Sequence, residues 1–149
     1  MGDQRTDGYR FFDATTLPVF AAAAACIVPE EPGSPGGGDP RCLGVADAMI
    51  AERPAADQRL LRAFLRAVQL LPVLRYGRPF TKLSPTQRSA VLRFLEQNRL
   101  VPRLRAGFFG LKNFALLGYY GSDLPFAELG YPGPRTDAPY YRLRAGGAR

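Results

Sequence analysis

Apolar positions recur at helical spacing along most of this chain, and no run alternates apolar and polar residues over the length of a strand. The expected fold class is therefore all-α: a small helical domain of about five helices with an extended Pro/Gly/Tyr-rich C-terminal tail. The Ala-rich stretch at residues 17–28 reads as the first helix, capped by Asp13 or Thr16 and ended before Pro29. Residues 45–53 form a short second helix, stopped by Pro54. Asp57 caps a third, reaching about Arg75, with Leu61, Phe64, Leu65, Val68 and Leu71 on one side and Arg59, Arg62 and Arg66 on another. Pro72 kinks it or ends it early. Ser84-Pro85-Thr86-Gln87 gives the clearest start signal: Ser caps, Pro suits the first helical position, and Gln returns a bond to the capping backbone. Val91, Leu92 and Leu95 are that helix's apolar stripe, and Asn98 marks its end. The last helix, residues 102–118, places Leu104, Phe108, Leu111 and Ala115 on one face, which Phe109, Phe114 and Leu117 widen.

With 149 residues, 46% of them hydrophobic, the chain has enough material for one domain with a real core and too little for two. Its expected divisions are an N-terminal helix (1–29), a flexible Pro/Gly connector (30–43), a helical body (44–121) and an extended docking tail (122–149). The GSPGGG run at 33–38 lacks the GK[ST] ending of a phosphate loop and precedes no GxGxxG spacing, so it reads as a spacer. The apolar stretch at 17–28 is well short of the roughly 20 residues that span a bilayer, and no transmembrane segment is expected.

Histidine is absent and cysteine occurs only twice, which excludes His- or Cys-cluster metal sites, CxxCH haem attachment, and Cys-His or Ser-His-Asp catalysis. None of the four serines lies in GxSxG, and the only adjacent acids, Glu30 and Glu31, precede the glycine run. The chain is not expected to be an enzyme by itself, and catalytic, cofactor-binding and metal-binding residues are all expected to be absent. Cys26 and Cys42 flank the connector and are either bridged or free thiols.

Net charge is +7, and its distribution matters more than its total. Residues 59–105 carry ten Arg and one Lys against Glu96 alone, whereas the remainder is slightly acidic. A solvated face is the default reading. Carboxylates on a protein partner come next, since the planar guanidinium suits them. A basic helical nucleic-acid-binding protein is the alternative function, although no base-reading motif or aromatic interleaving accompanies the arginines.

Near the C-terminus an aromatic helix end gives way to GYYGSDLPFAELGYPGP, residues 118–134. Its apolar side chains are too few to offset the cost of ordering so many Gly, Pro and polar neighbours, so the segment needs something to fold against. It reads as a docking strap, with Tyr119, Tyr120, Phe126, Leu129, Tyr131, Pro132 and Pro134 as the candidate partner-binding residues. Tyrosine and proline make large contacts at small entropic cost.

The run FFGLKNFALLGYYGSDLPFAELGYPGP, residues 108–134, is similar to the C-terminal signature of the gluconate 2-dehydrogenase subunit 3 family. The GYY step at Gly118, Tyr119 and Tyr120 and the ELGYPGP strap at 128–134 carry most of the resemblance. IVPEEPG at 27–33, GVADAMI at 44–50 and LSPTQR at 83–88 follow the family's order more loosely. The resemblance implies a non-catalytic small subunit. Its partner would be a large FAD-dependent dehydrogenase of the glucose-methanol-choline (GMC) type, oxidising sugars, sugar acids or polyols, with a cytochrome c subunit in some complexes. FAD would sit in the partner. The family often carries an export signal on this subunit, but here Asp3, Asp7 and Asp13 precede the Ala-rich stretch and no twin-arginine pair is present. The expectation for compartment is either cytoplasm or periplasm.

Overall fold

A computed structural model describes residues 8–122. In chain order the helices are α1 (Leu17–Ile27), α2 (Pro40–Ala51), α3 (Ala55–Leu70), a single turn α4 (Val73–Tyr76), α5 (Pro85–Gln97) and α6 (Pro102–Gly121), with a 3-10 turn at Phe80–Lys82. The class is all-α, with five long helices and no strand among the described residues; Glu31 and Ser34 form an isolated bridge.

Side-chain caps set the starts of α2 and α5, whereas α3 begins at Ala55 after Pro54, which puts Asp57, expected as its cap, inside the first turn with no capping bond. Ser84 and Gln87 form a reciprocal capping box at α5, with Pro85 in the first turn. Asn98 closes that helix, and its side chain then accepts from the Leu100 and Val101 amides. Pro72 ends α3 after Leu70, and the chain turns once more as α4.

The second helix departs from the sequence reading. It begins at Pro40, not near residue 45, because Asp39 accepts from the Arg41 amide as the N-cap and Pro40 occupies the first helical position. Residues 40–43, expected in a connector, thus form the first turn of α2, and Cys42 is buried on it. The glycine run before it is a packing device. A Cβ on Gly37 would lie 2.7 Å from the Ala24 carbonyl oxygen, so this backbone can press against α1 only because no side chain intervenes.

Helix α6 runs against α2 and also meets α1, α3 and α5. The core gathers Phe11, Phe20, Ile50, Leu65, Phe80, Leu95 and Leu111, all fully buried. Each such side chain contributes about 1.5–3 kcal/mol on leaving water. The segment before α1 is drawn into this core by Asp47 of α2, a buried carboxylate that accepts from the backbone amides of Arg10, Phe11 and Phe12 at 2.8, 2.9 and 3.0 Å. With those donors satisfied, Phe11 and Phe12 pack edge to face at 5.1 Å, and Phe12 meets Phe20 at 4.8 Å. No helix among the described residues is long and apolar enough to cross a membrane.

Candidate functional site

The last turn of α6 is the point where the described chain ends and the candidate strap begins. Phe108, Leu111, Ala115, Gly118 and Tyr119 form the buried face of this helix. Close approach to α2 depends on Gly118: a Cβ there would stand 2.6 Å from the Cys42 carbonyl oxygen and 3.1 Å from the Ala46 methyl. This contact brings the Tyr119 ring over the start of α2, where it clusters with Cys42 and Val28.

The two tyrosines of the GYY step have different fates. Tyr119 is 8% exposed, and its hydroxyl lies 3.0 Å from Ser34 Oγ, in the turn that precedes α2. Tyr119, expected among the partner-binding residues, has its ring and hydroxyl engaged within the chain. Tyr120 is 64% exposed and touches Tyr119 edge to face at 5.5 Å, leaving most of its ring for another surface. Successive helical residues point about 100° apart, so one ring turns inward and its neighbour outward. The signal for Tyr119 was in the sequence, since it continues the Leu111, Ala115 spacing by one more step of four.

Ser122 completes the pin. Its Oγ donates to the Tyr119 carbonyl at 2.6 Å, and the Cys42 thiol lies 3.7 Å from both Ser122 Oγ and the Gly36 carbonyl. Burial pushes the Cys42 thiol above its ordinary range, and it does the same for half-buried Cys26, where the nearby Arg88 charge and Ser89 oppose the effect. Both cysteines are free. Phe126, Leu129, Tyr131, Pro132 and Pro134 lie outside the described residues.

Two of the arginines in the basic stretch have internal tasks that the sequence did not reveal. Arg62 donates to the Phe11 carbonyl at 3.0 Å and stacks over the Phe11 ring at 4.6 Å, fastening the N-terminal segment to α3. Arg88 donates to the Thr81 and Phe80 carbonyls at 2.6 and 3.3 Å, bracing the 3-10 turn against α5. No group of three His, Cys, Asp or Glu side chains among the described residues is arranged to hold a metal ion. Glu30 and Glu31 are exposed.

The family model described as gluconate 2-dehydrogenase subunit 3 matches residues 14–133, from the turn before α1 to the next-to-last residue of the ELGYPGP strap. The chain belongs to this family. Comparison with curated proteins and with solved structures found no match in either. Tyr119, Tyr120, Phe126, Leu129, Tyr131 and Pro132 fall within the matched residues, and Pro134 falls just beyond them.

Proposed function

We propose that this chain is a non-catalytic accessory subunit that binds and stabilises, or helps assemble and export, a large FAD-dependent dehydrogenase of the GMC type acting on sugars, sugar acids or polyols. The observation that carries the reading is the family match across residues 14–133, which takes in both the helices and most of the strap. The exposed Tyr120 ring, next to a Tyr119 that is fixed to Ser34, supports the reading by presenting an aromatic surface at the end of α6. FAD belongs to the partner on this reading, and a cytochrome c subunit takes the electrons where one is present. A subunit that binds only the folded flavoprotein stabilises it by mass action: at a concentration of about a hundred times Kd the gain is about 2.7 kcal/mol.

The test is to tag the full chain in its native host, purify it gently, and record the visible spectrum together with sugar- and polyol-oxidising activity. A yellow, active preparation containing a large flavoprotein in fixed ratio is expected. A colourless chain without dehydrogenase activity sinks the reading. In the same assay the full-length variant Leu129→Ala/Tyr131→Ala is expected to retain markedly less flavoprotein.

A further inference from the structure

Where α3 breaks at Pro72, the chain carries apolar side chains that the described residues leave exposed. The single turn α4 buries none of its residues, although it includes Val73 and Leu74. Gly77, with φ +66°, stops it by donating to the Val73 carbonyl, and of its four residues only Tyr76 packs half-buried against the core. The result is a groove of about 410 Å³ between α4 and α5, lined by Leu71, Leu74, Tyr76, Val91 and Phe94 with Arg75 among them. Leu74 is 90% exposed and Phe94 55%. Scattered exposed apolar residues are ordinary, but a concave set facing one cavity marks an interaction site.

The charge around the groove says what fits it. No acid lines it among the described residues, and Arg75 stacks over the Tyr76 ring at 5.7 Å. The groove lies within the 59–105 stretch, where ten Arg and one Lys face a single acid. That acid, Glu96, already pairs with Lys112 at 3.5 Å. An apolar floor in a positive field favours an apolar segment flanked by carboxylates.

We infer that the α4–α5 groove is a second docking surface for the catalytic dehydrogenase subunit, and that it receives an apolar segment of that subunit with acidic flanks. The inference rests on the proposed function and extends it from the strap to the α4–α5 groove. Leu74 and Phe94 are the anchors, filling the interface core, while Arg75 meets carboxylates at the rim.

The test compares the tagged full chain with Leu74→Ala/Phe94→Ala, with Arg75→Glu, and with Leu60→Ala as a control on an exposed position of α3 outside the groove. Flavin absorbance per tagged chain is measured over a series of salt washes, alongside the melting temperature and sedimentation of each isolated chain. The wild type and Leu60→Ala are expected to retain the flavoprotein. The double variant should lose at least tenfold of it with little change in melting temperature, and Arg75→Glu should lose it at lower salt than the wild type. Equal retention by wild type and double variant overturns the groove while leaving the proposed function standing. Retention by Arg75→Glu equal to wild type overturns the acidic partner chemistry. A large fall in melting temperature in the double variant would show that this chain itself covers the groove, and a wild-type dimer broken by the double variant would assign it to a second copy; either overturns the inference. A wild-type chain that retains no flavoprotein removes the proposed function and the groove's role together.

Discussion

The Tyr119 hydroxyl and Ser34 Oγ lie 3.0 Å apart although 85 positions separate them in sequence, and this bond closes the end of α6 onto the turn before α2. Losing one partner leaves a buried polar atom short of a bond, at a cost of about 1–3 kcal/mol. Tyr119→Phe is therefore expected to lower the free energy of unfolding by about 1 kcal/mol or more in urea denaturation. Tyr120→Ala should change it by less than about 0.5 kcal/mol, as exposed positions usually do. In a double-mutant cycle with Ser34→Ala, the two losses should add to more than the loss in the double variant. Equal costs at Tyr119 and Tyr120 would remove the distinction between an internal ring and an outward one.

Asp47 is expected to be the costliest polar position. Replacing it with alanine strands the buried Phe11 and Phe12 amides and the part-buried Arg10 amide, and each buried donor left unsatisfied costs about 1–3 kcal/mol. A loss of about 3 kcal/mol or more is predicted for Asp47→Ala, with hydrogen exchange at these three amides rising first. Unchanged protection there would show that Phe11 and Phe12 hold the segment by packing alone.

These two sites mark what could be read from the sequence and what could not. The α5 start was legible because Ser84, Pro85 and Gln87 act on one another within one turn. The same logic was available at Asp39-Pro40, but the adjacent glycines suggested a spacer, whereas Gly37 is small because α1 lies against it. Asp47 carried no sequence signal, and Arg62 and Arg88 fell within a stretch read as a solvated face, since their partners at Phe11, Phe12, Phe80 and Thr81 are fixed only by tertiary packing. The GYY step drew attention as a unit, yet helix geometry sends its two rings in different directions.

Acid should weaken the entry to α1. Partial burial raises the Asp13 carboxyl, but hydrogen bonds from the hydroxyls and backbone amides of Thr15 and Thr16 outweigh it and hold the group at about 2, below its ordinary 3.8. A carboxylate lowered by folding contributes stability that is complete above the unfolded value and lost as pH falls through the folded one. Stability should therefore decline between about pH 5 and pH 2. Asp13→Asn should flatten part of that decline, modestly, because water still screens a half-buried group. An unaltered pH profile in urea titrations of this variant would exclude the contribution.

Two glycines on α6 should respond in opposite directions to the same substitution. At Gly110 an added Cβ meets nothing within 4 Å, so alanine supplies helix propensity and restricts the unfolded chain without a clash. Gly110→Ala is expected to stabilise by about 0.5–1 kcal/mol. At Gly118 the same methyl would stand 2.6 Å from a backbone oxygen of α2, which cannot rotate away as a side chain would. Separating α6 from α2 would disturb Tyr119, Cys42 and Ser122 together, so Gly118→Ala is expected to destabilise by about 1–3 kcal/mol despite its better propensity. Thermal unfolding of the two variants measures both signs. A stabilised Gly118→Ala would mean that α2 yields readily, and that the Ser34–Tyr119 bond does not depend on the close approach of the two helices.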